Sequence, residues 1–348
     1  MELNLGSSIR LMLSSTLRGG GSTLTIIQDD HHYEHNDDDE SDADVSNELR
    51  KHLDDFAATL KKNQSVTDID GIFNKKLSEM VHGSNMIEAV GSSLDITSEL
   101  CRGIFEGGIG ADDTEISNRD PIYQPIRADL IEKKKPNAHE DVLRSWREVV
   151  QHAKAAYYIM NEVAIKERDL SEEVILETHR PLTYKIHSPD GIPSSQYGGI
   201  YRNCPVQRGF HSFSHQATVP KAVRDLTASL KTDIAVAEAT GEIDPVALAA
   251  KYCHKFVNIH PFLDGNSRTS RLILNTILLK YGGCFVWFGK DAAECDEYMN
   301  IPAAGFAAEA MDTQEEMDDL PDEFKPKHHK KLATFTLKHV YKYLSLFN

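Results

Sequence analysis

At 348 residues the chain is long enough to bury a sizeable core, as two or three structural units or as one unit with unstructured ends. Hydrophobic residues make up 40% and charged residues 26%, an ordinary balance for a soluble globular protein, and the net charge of -16 argues against a general nucleic-acid surface. Leu272 to Phe288 is interrupted by Asn275, Lys280 and Gly282, so no segment reaches the roughly 18 apolar residues of a membrane span.

The five cysteines are odd in number and none lies in a close pair, which fits a reducing, cytoplasmic compartment; nothing in the composition speaks against a nuclear one. The first 28 residues carry Arg10, Arg18 and several serines with one acid, a pattern shared with mitochondrial presequences.

Residues 1–45 show no sustained periodicity and end in the acidic cluster Asp37 to Asp44, so a disordered acidic segment is expected. A helical region over 46–135 follows. In it Leu49, Leu53, Phe56, Ala57 and Leu60, and then Ile72, Leu77, Met80 and Val81, recur at helical spacing up to Ser84. Glycines and acids mark 103–119 as a loop. Asp141 to Arg168 reads as a long amphipathic helix, with Val142, Trp146, Val149, Val150, Ala153 and Tyr157 on one face.

Ser171 is placed to cap the next helix, which contains His179. Residues 186–217 turn rich in Gly, Pro and Ser, and the segments at Ile200-Tyr201-Arg202 and Val206-Gln207-Arg208 predict a small hairpin. Pro220 and Pro245 open two helices, ending near Glu238 and Asn258, and a third runs from Asn266 to Tyr281, stopped by Gly282-Gly283. A core over 136–305 is followed by an acidic and then basic linker and a terminal helix, Thr334 to Phe347, within 306–348. The expected fold class is all-α with one hairpin.

Between two of these helices lies His260-Pro261-Phe262-Leu263-Asp264-Gly265-Asn266-Ser267-Arg268. A helix start has unpaired N–H groups and a partial positive charge, so Gly265, Asn266 and Ser267 can donate to phosphate oxygens. Arg268 and Arg271, three residues apart, aim two guanidinium groups at one anion. Asp264 is a hard oxygen ligand suited to Mg²⁺, and His260 can accept a proton near neutral pH.

This loop resembles the signature of the Fic (Fido) family, His-x-Phe-x-(Asp/Glu)-Gly-Asn-Gly-Arg-x-x-Arg, departing only at Ser267. The likeness extends to His179 and to Gly199-Ile200-Tyr201-Arg202, which is similar to the start of the family's flap. It implies an all-α Fic core with a β-hairpin flap that transfers AMP from Mg-ATP to a Ser, Thr or Tyr hydroxyl of a target protein. His260 would be the catalytic base, and Asp264 would hold Mg²⁺. Asn266 would contact the α-phosphate, Arg268 and Arg271 the β- and γ-phosphates. Ile200, Tyr201 and Arg202 would position the target beside the flap.

Upstream, Ser84-Asn85-Met86-Ile87-Glu88 resembles the family's inhibitory helix, (Ser/Thr)-x-x-x-Glu-(Gly/Asn), with Ala89 replacing the last residue. The resemblance implies that Glu88 pairs with Arg271 and withholds it from ATP; in relatives the same glutamate can also position water to remove AMP. Two other readings stand beside this one: a nucleotide-binding regulatory module weakened by Ser267, and a Fic enzyme using another phosphate-containing donor. Partners are then a protein substrate and, where the chain self-associates, a homodimer, with no nucleic acid and no membrane.

Overall fold

The computed structural model describes residues 4–16, 24–34, 66–107, 115–208, 211–309 and 326–344. Helices dominate: α1 Leu5–Thr16, α2 Val66–Ile87, α3 Leu94–Phe105, α4 Tyr123–Glu132, α5 His139–Met160 and α6 Glu172–Thr183. They continue with α7 Val219–Thr240, α8 Pro245–Ile259, α9 Asn266–Ile277, α10 Ala292–Glu309 and α11 Lys330–Leu344. The expected all-α class with one hairpin is the class observed. Among the described residues no helix is long and apolar enough to cross a membrane.

Helices α5, α8 and α9 form the centre, with α6 packed on α5, α9 on α8, and α2 and α3 against α5. Their apolar faces are sealed: Val142, Val149, Val150, Ala153, Tyr252, Phe256, Ile273 and Leu274 are essentially inaccessible. The starts are cut by side chains that accept from free N–H groups, Ser171 at Val174 for α6 and Asp244 at Val246 and Ala247 for α8. Both α5 and α9 run on into a single π turn, Asn161–Ile165 and Leu278–Gly282, and the second is halted at Gly283 with φ +65°.

Two expectations need correction. The N-terminal segment is not devoid of structure: α1 buries Leu5, Ile9 and Leu13 on successive turns and packs on α2, where Ser7 and Arg10 both bond Asp70. Residues 25–26 (β1) add in parallel to Glu242–Ile243 (β4), and Asp29 and Tyr33 both donate to the Asp244 carboxylate. Three apolar residues four apart were hidden among serines, whose polarity reads as disorder until α2 covers the stripe.

The second correction concerns the hairpin, which pairs Gln207–Arg208 (β2) with His211–Ser212 (β3) and leaves Ile200–Arg202 outside any strand. The predicted helix over Leu49–Leu60 and the acidic runs at 37–44 and 310–323 lie outside the described residues. Helix α10 had no counterpart in the sequence reading; α3 and α4 fall within the helical region expected over 46–135 without having been singled out, and α3 runs to Phe105, into the stretch read as a loop.

Candidate active site

The loop between α8 and α9 is bent by backbone that ordinary residues avoid. His260 ends α8 in the left-handed region (φ +48°, ψ 60°) and Gly265 opens α9 with φ +78°. For a residue with a Cβ that conformation costs about 1–2 kcal/mol, so something must hold His260 there. Arg202 does: its Nε donates to the His260 carbonyl at 2.7 Å, while its own N–H donates to the Pro261 carbonyl at 2.9 Å. The buried Asn266 amide closes the turn, accepting from the Phe262 N–H and donating to the Phe262 carbonyl, each at 2.8 Å.

His179 supports the loop from below. Its Nδ1 accepts the Gly199 N–H at 2.9 Å, so the ring proton sits on Nε2, which donates to the Asp264 carbonyl at 2.8 Å. Its ring lies flat on Phe262, centroids 3.7 Å apart. Burial pushes its pKa down to about 3, which keeps the imidazole neutral and this tautomer fixed. A Cβ on Gly265 would sit 3.1 Å from His179 Nε2, so glycine is needed there for space as well as for φ.

The predicted base is half-buried. Its Nδ1 lies 3.3 Å from the Val257 carbonyl, an oxygen that can only accept, which leaves Nε2 with the lone pair. Phe213, just beyond β3, stacks on the imidazole at 3.9 Å.

Both arginines are buried on the α9 face turned toward α5 and α2. Arg268 is paired with Glu148 of α5, itself sealed, and its Nη2 stands 3.9 Å from the Asp264 carboxylate. Burial opposes its charge, but Glu148 and Asp264 outweigh burial and hold the guanidinium firmly protonated. Arg271 donates from Nε to Ser84 Oγ at 2.8 Å and from Nη2 to the Ser84 carbonyl at 2.9 Å and to Glu88 Oε1 at 2.7 Å. Two buried donors, Arg268 Nε and Arg271 Nη1, have no hydrogen-bond partner among the described residues. Unsatisfied buried guanidinium N–H groups beside the first turn of α9 fit a phosphate chain, and Asp264, partly exposed, fits a Mg²⁺ shared with phosphate oxygens. Among the described residues no group of three or more His, Cys, Asp or Glu is placed to hold a metal alone.

Ser267 stands inside the first turn of α9 with ordinary helical backbone, so replacing glycine there adds a side chain without backbone strain. The flap residues divide. Ile200 is 47% exposed and Tyr201 donates its hydroxyl to Glu172 at 3.0 Å. Arg202 is buried and spends its guanidinium on the carbonyls of Cys204, Ser214, Ile259 and His260. It clamps the flap to the loop and does not face outward toward a target, contrary to the sequence expectation. Asn266 likewise turns its amide into the loop.

The structure thus gathers His260, Asp264, Gly265, Asn266, Ser267, Arg268 and Arg271 with Ser84 and Glu88. Sequence reasoning missed Glu148 and Phe213 and gave His179 no role. Arg144, Glu148 and His152, four apart on α5, were the available signal for Glu148, a polar stripe on a helix otherwise read for its apolar face.

A model of the Fic/DOC family matches residues 169–278. The sequence is 32% identical over 125 residues to "Protein adenylyltransferase Fic" of Drosophila willistoni and 31% identical over 125 residues to its Drosophila melanogaster counterpart, 35% of this chain in each case. The chain spans only 22% and 23% of those relatives. A Fic domain containing signaling protein from Bacteroides thetaiotaomicron superposes with a TM-score of 0.59 at 19% identity, covering 86% of this chain and 94% of that one. Fic-1 from C. elegans gives 0.57 at 21% identity, covering 88% and 71%. These structures share the fold, and residues 169–278, which match the Fic/DOC family, supply α6, α8, α9 and the loop between the last two, while Glu148 on α5 and Ser84 and Glu88 at the end of α2 lie outside the matched stretch.

Proposed function

We propose that this site transfers AMP from ATP to a hydroxyl of a target protein, and that Glu88 holds it in an inactive state. The observation that carries this reading is the 2.7 Å pair between Glu88 and Arg271, formed next to a loop whose other parts are already assembled. Arg268 and Arg271 would hold the β- and γ-phosphates, and the N–H groups at the start of α9 the α-phosphate. Asp264 would hold Mg²⁺, which when bound neutralises charge building on the departing pyrophosphate.

The target hydroxyl oxygen bonds to the α-phosphorus, the bond from that phosphorus to the bridging oxygen breaks, and pyrophosphate leaves. The hydroxyl proton passes to His260 Nε2, the nitrogen left unprotonated by the Val257 contact. Phe213 keeps the imidazole in that plane. Exposed Ile200 and the β2–β3 hairpin are the surface on which an extended target segment would lie.

While Glu88 occupies Arg271, the γ-phosphate lacks its ligand and ATP cannot take the orientation that presents its α-phosphorus to the target. The helical backbone at Ser267 favours an active enzyme over a weakened binding module. His260→Ala in a Glu88→Gly background separates these: loss of AMP transfer with ATP binding retained supports catalysis by His260. Transfer that survives His260→Ala would sink that assignment.

A further inference from the structure

The two arginines of α9 each meet a carboxylate, and the two pairs are built differently. Glu88 directly follows α2 and its side chain is 28% exposed, so it can turn into water when a ligand claims Arg271. Glu148 sits in the middle of α5, between the buried Ser145 and Gln151, and is only 2% exposed. Two hydrogen bonds pin the backbone around it: Ser145 Oγ donates to the Gly91 carbonyl at 2.9 Å, and Asn85 Nδ2 to the Glu148 carbonyl at 3.2 Å. A carboxylate so enclosed has no route to water that leaves α5 in place, and parting a buried ion pair is strongly destabilising.

The nitrogen that Glu148 takes from Arg268 decides which ones remain. Its Oε2 accepts from Nη1, while its Oε1 stands 3.6 Å from Nε of the more exposed Arg144. In a planar guanidinium Nε and Nη2 share the side-on edge, a fork that grips an oxyanion with two parallel bonds. That edge is left open. Nε is buried without a hydrogen-bond partner among the described residues, and Nη2 stands 3.9 Å from the partly exposed Asp264 carboxylate. His152, one turn further along α5, adds no charge of its own: burial and the two arginines hold its pKa well down, and its Nδ1 lies 2.8 Å from Asn85 Oδ1, which can only accept.

We propose that Glu148 is the positioning residue for Arg268: it holds Nη1 throughout the reaction and aims the Nε–Nη2 edge at the β-phosphate, while Glu88 alone is the carboxylate that withdraws. This rests on the reading of the loop as an ATP site. The opposite role makes the opposite prediction. A second brake at Glu148 would compete with phosphate for Arg268, and removing its charge would tighten nucleotide binding; removing a positioning residue weakens it.

The test measures the Kd of AMP, ADP and ATP by calorimetry on the full chain carrying Glu88→Gly. Glu148→Gln, equal in shape but uncharged, should raise Kd at least tenfold for ADP and ATP and less than twofold for AMP, which has no β-phosphate. A merely structural defect would weaken all three alike. In an Arg268→Met background the same substitution should weaken ADP binding less than twofold, because Glu148 acts through that guanidinium. Glu148→Asp keeps the charge and should recover most of the loss; it also replaces Glu148→Gln if that variant fails to fold, with ADP then weakened at least threefold more than AMP. Tighter or unchanged ADP binding, equal shifts for AMP and ADP, or a tenfold loss that persists without Arg268 would each overturn the proposal. ATP binding without AMP transfer would contradict the transferase reading, while an ADP-selective loss would still support the role of Glu148; no ATP binding by the Glu88→Gly protein would sink both.

Discussion

Ala89 stands where the inhibitory motif carries Gly or Asn, and its φ of +53° supplies the reason. Helix α2 ends at Ile87, Glu88 reaches Arg271, and the next residue must turn left-handed for the chain to leave. A Cβ there is strained, so Ala89→Gly relieves the cap at the cost of a more flexible unfolded chain. The expected net gain is about 0.5–1 kcal/mol, a melting temperature higher by roughly 2 °C, read by calorimetry; a fall would show the turn to be unstrained. At Gly265 the sign reverses. Gly265→Ala meets both φ +78° and the His179 ring, so it should destabilise by about 1–2 kcal/mol and abolish AMP transfer while circular dichroism stays helical. Most loop residues were legible in sequence because phosphate chemistry restricts what can stand there. The roles of Arg202 and Asn266 were not, since nothing in a linear pattern says whether a donor faces a ligand or a neighbouring carbonyl.

At the scale of elements, the long amphipathic helices were legible because apolar residues recur on one face, and their ends because Asp244-Pro245 and Ser171 are capping chemistry. Helix α1 was not, because its burial depends on α2, some fifty residues further on. The hairpin was misplaced by a few residues: Tyr201 and Arg202 look like strand residues, yet one bonds Glu172 and the other four backbone carbonyls. That makes Arg202 the tie between flap and loop. Arg202→Ala should free the segment between α6 and α7, with limited proteolysis cutting between residues 200 and 218 several-fold faster than in the wild type. An unchanged cleavage rate would mean that Phe213 and β2–β3 hold the flap by themselves.

Across the whole molecule, the fold keeps several imidazoles neutral where they join separate parts: His179 between flap and loop, His32 and His329 between the two ends of the chain. Burial lowers them to about 3, about 4 and about 2 respectively. Below the ordinary histidine value the unfolded chain takes up protons that the folded chain refuses, so stability is full above about pH 6.5 and lost as the pH falls. His179 alone contributes a loss of about 2 kcal/mol between pH 6.5 and 5. Melting temperature should be level from pH 8 to 7 and fall below 6.5, less steeply in His179→Gln; a level profile down to pH 5 would contradict neutral burial. The same close packing brings α2 against α9, and on that contact the account of an inhibited enzyme rests. Its most direct test is the intact mass of the purified protein and its Glu88→Gly form after incubation with Mg-ATP. The account predicts that Glu88→Gly gains AMP on itself or an added acceptor at least ten times faster than the wild type, and that Glu88→Gly with His260→Ala gains none. Equal or slower labelling of Glu88→Gly would contradict it.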